Sequence, residues 1–292
     1  MTPPLPPKTA VVTVTYNSSE TLPDFVRSIA NEEGVSGIAI VVVDNSSRDV
    51  ADIRHICESA GATLIESSKN LGYGGGANLA IAQLRHEVDL VLISNPDVLF
   101  ESGAIGALAE VLDSDPRIGA VGPRVMNSDG SVYPSARSLP SLRTGIGHAV
   151  FATVWPSNPW SARYHSDGAV DAEAREAGWL SGSCIMVRRS AFESIGGFDE
   201  SFFMYFEDVD LGYRLRDRGW LNIYYPLVSV THTGAHSTKT QPERMIKAHH
   251  LSAAQYLDRR YSGFLLAPLR VILRCGLRLR AAIEVARVRR SR

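Results

Sequence analysis

Cysteine is scarce: Cys57, Cys184 and Cys275 are the only three among 292 residues, and they stand far apart. That spacing excludes a disulfide framework and any CxxC metal site, and it favours a reducing, cytoplasmic setting. Long apolar runs are missing too. No stretch approaches the ~20 residues that span a bilayer, and the opening MTPPLPPK lacks the apolar segment of a signal peptide. Net charge is nearly balanced at −1, which leaves no bulk attraction for nucleic acid. Glycine is absent from the turn after the first β-branched stretch, Tyr16–Ser19, where a nicotinamide dinucleotide fingerprint would require it.

The composition that remains, 45% apolar and 21% charged, is that of a globular chain with a sizeable core. The length suits one large α/β domain or two smaller ones. Charge is unevenly spread. Ten arginines and a single acid, Glu284, lie beyond Asp258, so a basic tail follows an otherwise acidic body.

Strands and helices alternate from the start. Thr9–Thr15 and Ile38–Val43 read as buried strands that end in polar corners, Tyr16–Ser19 and Asp44–Ser47. Helical spacing runs from Glu20 to Ala30 and from Val50 to Ser59, and a third strand is expected near Thr63–Glu66. This alternation predicts a parallel sheet of βαβ units, Rossmann-like in its first half. Leu90–Phe100 is apolar throughout but for Ser94-Asn95-Pro96-Asp97, and Pro96 has to end the strand there. Asn95 and Asp97 then stand at a strand's carboxyl end, where open α/β sheets bind ligands. A carboxylate in that position can hold a divalent cation.

Between these strands lies Asn70-Leu71-Gly72-Tyr73-Gly74-Gly75-Gly76-Ala77-Asn78, read as a glycine loop close to a ligand or to the strand tips, with a helix following from Leu79 to His86. A helix is expected over Ala104–Leu112, a short strand over Ile118–Val121, and a hairpin turn at Asn127–Gly130. Ser135–Ala177 has no strong period and reads as a long functional or mobile loop. Trp179–Arg188 is expected as a strand in which Ser181-Gly182-Ser183 permits close approach. A helix should begin near Glu207, placing Glu207 and Asp208 in a first turn that favours carboxylates. Strands over Leu221–Tyr225 and Leu227–Thr231 precede His232, and helices over Glu243–Arg259 and Leu265–Arg290 close the chain. On the last helix Leu265, Leu269, Ile272, Gly276, Leu279 and Ile283 share one face, opposite a stripe of Arg270, Arg274 and Arg278. That pattern suits an interfacial amphipathic helix on an anionic membrane surface, or alternatively a helix docked on the core with a solvated basic face.

Five of these segments, VVTVTYN, VVVDNSS, NLGYGGGAN, the SNPD strand end and FFMYFEDVDLGYRLRDRGW, occur in an order that resembles the inverting glycosyltransferases of family 2, over about residues 8–237. Within that family the likeness is to bacterial rhamnosyltransferases. The resemblance implies a GT-A fold: a nucleotide-sugar half over 8–100 with a mainly parallel central sheet, and an acceptor half merged with it over 101–237. A helical, basic, membrane-associating extension over 238–292 would follow.

It further implies that Asp208 is the catalytic base with Glu207 beside it. Thr15, Tyr16, Asn17, Asp44, Asn70, Gly72, Gly76, Asn78, Asn95 and Asp97 would bind the nucleotide sugar, with Asp44 accepting the imide of a pyrimidine. Trp179, Gly182 and Glu207 would meet the acceptor. Asp97 and His232, twenty-four residues after Asp208, would hold Mg²⁺ or Mn²⁺. One departure stands out: Asn95-Pro96-Asp97 replaces the usual Asp-x-Asp, and an amide is the poorer metal ligand.

The expected activity is transfer of rhamnose from dTDP-rhamnose to a lipid-linked sugar, at the cytoplasmic face of the membrane and with no nucleic acid partner. The sequence leaves a homo-oligomer open. It also leaves open another pyrimidine donor, UDP-galactose or UDP-N-acetylglucosamine, and a catalytically silent glycan-binding protein on the same fold. Retention of both Asp97 and Asp208 speaks against the silent form.

Overall fold

A computed structural model describes residues 9–30, 37–140, 173–234 and 242–290. The opening segment and most of the loop expected over Ser135–Ala177 lie outside the described residues, as does the expected domain boundary at 237. Strand β1 (Thr9–Thr15) is buried along its whole length. It pairs in parallel with β2 (Ala39–Asp44) on one side and with β4 (Leu90–Ser94) on the other, and β3 (Thr63–Glu66) completes that edge. Helix α1 (Leu22–Ala30) turns Leu22, Phe25, Val26 and Ile29 onto this sheet. Each such side chain contributes about 1.5–3 kcal/mol when fully buried. Helix α2 (Val50–Ala60) ends at Gly61 in the left-handed conformation, where glycine carries no Cβ penalty.

Helix α3 spans Gly72–Gln83, so the glycines are not a loop: Gly74, Gly75 and Gly76 lie inside the helix. The reason is contact. A Cβ on Gly76 would stand 2.7 Å from a methyl of Val14, and one on Gly74 2.8 Å from Cβ of Phe198. Glycine lets this helix lie against the sheet, and that closeness offsets the cost of glycine in a helix interior, about 1 kcal/mol per residue.

The second half of the sheet is mixed. Beyond β4 come β11 (Cys184–Arg188), β6 (Ile118–Asn127), β12 (Leu221–His232) and β5 (Val98–Phe100), giving the order β3-β2-β1-β4-β11-β6-β12-β5. Helix α4 (Ala104–Ser114) packs beneath through Ile105, Leu108 and Leu112. The strand from Leu90 ends at Asn95-Pro96-Asp97, as expected, and the chain then crosses to the far edge, where β5 pairs with β12. Two sequence expectations need correction here. The two strands expected around Pro226 are one, since a bulge between Tyr225 and Ser229 takes up the proline. Trp179–Arg188 is divided by Ser181–Ser183 into β10 (Trp179–Leu180) and β11. β7 (Val132–Tyr133) closes the hairpin on β6. The described ends of the long loop are pinned as β8 (Ala136–Arg137), paired with β10, and β9 (Arg175–Glu176), paired with β12.

Helix α5 (Arg189–Ser194) leads to a loop and then to α6 (Glu207–Asp217). Helices α7 (Pro242–Arg260) and α8 (Ala267–Arg290) end the described chain. The arginine stripe expected on α8 is divided. Arg270 donates to the carbonyls of Tyr261 and Gly263 in the turn after α7, and Arg274 makes a forked pair with Asp258 of α7, so together they fasten α8 to α7 and to the turn between them. The opposite apolar face does not dock on the core: Ile272, Leu279 and Ile283 are all exposed, as is Leu265 in the short turn that precedes the helix, where the sequence places the expected helix start. Among the described residues no helix is long and apolar enough to cross a membrane, and all three cysteines are free.

Candidate active site

The carboxyl ends of β1, β2 and β4 meet the start of α3, the start of α6 and the end of β12. At the β1 and β2 tips, Asp44 is buried and oriented from two sides: Thr15 Oγ1 lies 3.3 Å from Oδ1, and the Ser47 N–H donates to Oδ2 at 2.9 Å. Asn17 and Ser46 both take positive φ, +54° and +64°. They are locked by the Asn17 N–H to Ser47 Oγ bond and by the Arg48 N–H to Asn17 Oδ1 bond. Tyr16 is exposed on this rim. Asn70 caps the entry to α3 by accepting from the Gly72 N–H at 2.9 Å. Gly72 itself has φ +76°, and a Cβ there would strike the Phe203 carbonyl. Asn45, not singled out from sequence, is buried and clasps α3 through Gly72 O and the Leu71 N–H.

Asn78 and Gly76 both make contacts within the protein. Both ends of the Asn78 amide bind the Phe198 backbone, at 2.8 and 2.9 Å, so Asn78 fixes the segment leading to α6. Gly76 serves the packing of α3 on β1.

The β4 end converges with β12. His232 Nε2 lies 3.0 Å from Asp97 Oδ1 and 3.3 Å from Asn95 Nδ2. The Thr233 N–H and hydroxyl both donate to the Asp97 carbonyl at 3.0 Å, which sets the register of the two chain segments. Among the described residues no cluster of three or more His, Cys, Asp or Glu side chains is present. The side chains that meet here are one carboxylate, one imidazole and one neutral amide.

Helix α6 begins after two aromatic residues, Tyr205 and Phe206, each with φ +66°. Left-handed backbone at residues of this size costs on the order of 1–3 kcal/mol each. It turns the chain into a helix whose first two side chains, Glu207 and Asp208, stand close enough for their charges to interact. Both oxygens of Asp208 are held: Gly182 N–H donates to Oδ2 at 3.0 Å and Val209 N–H to Oδ1 at 2.8 Å. Burial raises the Asp208 pKa above the usual carboxylate range, against the lowering effect of these N–H bonds and of the Arg137 charge. Glu207 is 8% exposed, and its Oε2 has no partner. Burial first, and then the charge of Asp208, pushes the Glu207 pKa up as well. The two sites are thereby divided in role. Asp208, with two N–H donors, is the better anion, and Glu207 is the better proton holder.

Sequence reading missed Tyr73. Its hydroxyl donates to the Gly182 carbonyl, and burial, helped by the charges of Glu207, Asp208 and Asp97, holds its pKa well above the ordinary value. It therefore remains a proton donor that holds the carbonyl of Gly182, the residue whose own N–H donates to Asp208. Only the tertiary fold joins residues 73, 182 and 208. Trp179 is half-buried, and Gly212 of α6 packs against its backbone side, a Cβ there falling 2.7 Å from that of Trp179. Asp210 is structural, paired with Arg214 at 2.6 Å.

With this geometry in place, comparison with known proteins gives a consistent result. Residues 6–250 match the family described as glycosyltransferase like family 2. The chain is 44% identical, over 97% of its length and 94% of the relative's, to the N-acetylglucosaminyl-diphospho-decaprenol L-rhamnosyltransferase of Mycobacterium tuberculosis. It is 32% identical to the low-salt glycan biosynthesis hexosyltransferase Agl10 of Haloferax volcanii, over 71% of this chain and 61% of that one. Among solved structures, the mannosyltransferase PcManGT from Pyrobaculum calidifontis, in complex with GDP-Man and Mn²⁺, superposes with a TM-score of 0.59 at 17% identity. That superposition covers 99% of this chain and 80% of that one, and it shows the shared GT-A fold. The chain is a glycosyltransferase, and it belongs to family 2.

Proposed function

We propose that the protein transfers L-rhamnose from dTDP-L-rhamnose to N-acetylglucosaminyl-diphospho-polyprenol, with inversion, at the cytoplasmic face of the cell membrane. The observation that carries this reading is the 44% identity to the mycobacterial rhamnosyltransferase over nearly the whole of both chains. The geometry supports it. Asp44, an acceptor-only group fixed by Thr15 and Ser47, suits the imide N–H of a pyrimidine base. Thr15, Tyr16, Asn17 and Asn70 line the same rim.

Asp97 and His232 would hold a divalent cation, Mg²⁺ or Mn²⁺, with Asn95 beside them. One carboxylate and one imidazole leave most positions for phosphate oxygens and water, which fits an ion that is held largely by the donor diphosphate. When bound, such an ion offsets the negative charge that develops on the leaving diphosphate.

Asp208 takes the proton from the acceptor hydroxyl as that oxygen attacks the anomeric carbon. A base fixed in this way contributes about 10²–10⁴-fold. Gly182 and Val209 orient it, and Tyr73 orients Gly182. Glu207, held protonated, can donate a hydrogen bond to an acceptor sugar oxygen.

Thermal-shift titration of the full chain with dTDP-rhamnose, UDP-galactose, UDP-N-acetylglucosamine and NADH, each with Mn²⁺ and with EDTA, tests the reading. The largest stabilisation is expected for dTDP-rhamnose with Mn²⁺. A larger shift with a UDP-sugar would move the donor assignment.

A further inference from the structure

The left-handed turn at Tyr205 and Phe206 needs surroundings that over-determine it, because isolated aromatic residues leave that region readily. Those surroundings come from α7, across more than forty residues of chain. Ser252, buried, donates its hydroxyl to the Met204 carbonyl at 2.8 Å. Tyr256, fully buried, packs on the Phe206 ring with centroids 5.7 Å apart, and it forms a small core with Phe202 and Val209. His249 sets its ring edge-on to both Tyr205 and Phe206, 5.5 Å from each. Arg259 and Gln255 grip Ser201 from the same helix. Ser252 and Tyr256 lie past residue 250, where the match to the family ends.

We propose that Ser252 and Tyr256 are positioning residues for glycosyl transfer. They hold the left-handed turn, and the turn fixes the direction in which Glu207 and Asp208 enter the cleft. This rests on Asp208 as the base. The part played by Tyr256 is that of its ring, since its hydroxyl is buried and has no hydrogen-bond partner among the described residues. The C-terminal helical segment is then part of the catalytic apparatus as well as an attachment.

The test uses full-length Ser252→Ala, Tyr256→Leu, Tyr256→Phe and Asp208→Asn. Each is assayed for transfer from dTDP-rhamnose to a short-chain, water-soluble N-acetylglucosaminyl-diphospho-prenol, with activity expressed per folded molecule from the melting curve. Misplacing a base by an ångström is worth up to about 10²-fold. Ser252→Ala and Tyr256→Leu should therefore lose about 10-fold or more in kcat, with dTDP-rhamnose affinity within about two-fold of the parent. Tyr256→Phe should match the parent. In the two impaired variants the acid limb of the rate profile should move to lower pH, because a loosened turn admits water to Asp208 among Glu207, Tyr73 and Arg137. A purely structural role would lower the melting temperature and leave kcat per folded molecule and the pH limb where they were. That result overturns the proposal. If Tyr256→Leu does not fold, Ser252→Ala decides alone. Full turnover by Asp208→Asn is a separate result: it removes the base assignment itself.

Discussion

Asp208 is fixed at both oxygens by backbone N–H groups, and an amide in its place can accept only one of those two bonds. Asp208→Asn keeps the shape and removes the basic oxygen. Turnover should fall by about 10²-fold or more while donor binding persists, as single-turnover assays beside nucleotide titration would show; turnover at the parent rate would exclude Asp208 as base. Glu207 offers a pH test with a definite sign. Its pKa is raised in the folded chain by burial and by the Asp208 charge, so the folded state resists its ionisation. Stability is thus lost as pH rises from the ordinary carboxylate range through the raised value. Glu207→Gln cannot ionise, and its melting temperature should gain on the parent progressively over that interval. Parallel melting curves from pH 5 to pH 9 would show that Glu207 carries no such penalty. Asp97→Ala removes an anchor for the cation, so it should weaken dTDP-rhamnose binding in Mn²⁺ far more than in EDTA; equal losses in both would take Asp97 out of the cation site. Carboxylates at strand and helix ends were legible in the sequence because position along one element decides where they emerge. Tyr73 and Asn45 were not, because their partners Gly182 and Gly72 are set by how separate elements meet.

At the scale of elements, the βαβ alternation of the first half could be read directly, since each strand is a local apolar run with its own polar corner. The second half resisted. Pro226 looks like a strand end and is absorbed in a bulge, and the apolar Val98–Phe100 belongs to the opposite sheet edge from the residues just before it. The glycine-rich first part of helix α3 reads as a loop in the sequence, with helix only from Leu79, because three glycines argue against a helix on propensity alone, whereas contact with Val14 and Phe198 requires them. Gly76→Ala should test that contact. The added methyl would press on Val14, and overpacking of this kind costs about 1–3 kcal/mol. Gly276 in α8 is the internal control, since a Cβ there meets nothing within 4 Å. Gly276→Ala should stabilise its helix by about 0.5–1 kcal/mol. Denaturant unfolding of the two variants should move in opposite directions. Movement of both towards stability would remove the packing account of the α3 glycines.

For the whole molecule, the arrangement of the C-terminal helices bears on where catalysis takes place. One face of α8 lies on α7, which grips the turn before Asp208; the other face presents Ile272, 67% exposed, and Leu279, 65%, with Phe264 at 90% and Leu265 at 89% just before the helix. Burying each such side chain is worth about 1.5–3 kcal/mol, and the surrounding tail is strongly basic. A bilayer carrying anionic lipid matches both properties, and a lipid-linked acceptor would be met there. The division of the arginines changes what salt should do. Arg270 and Arg274 are engaged within the protein, so fewer charges are free to meet lipid at about 1 kcal/mol each. Apolar burial is then the larger share, and it is not screened. The unmutated protein should sediment with vesicles containing phosphatidylglycerol at low salt and keep much of that binding at high salt. Ile272→Ser, Leu279→Ser and Ile283→Ser combined should abolish sedimentation, leave the melting temperature nearly unchanged and spare transfer to a water-soluble acceptor. If the apolar face instead joins two copies of the chain, ultracentrifugation will show a dimer that the triple variant dissolves, with no vesicle binding by the parent. That outcome would withdraw the membrane from the account and assign the exposed face to self-association.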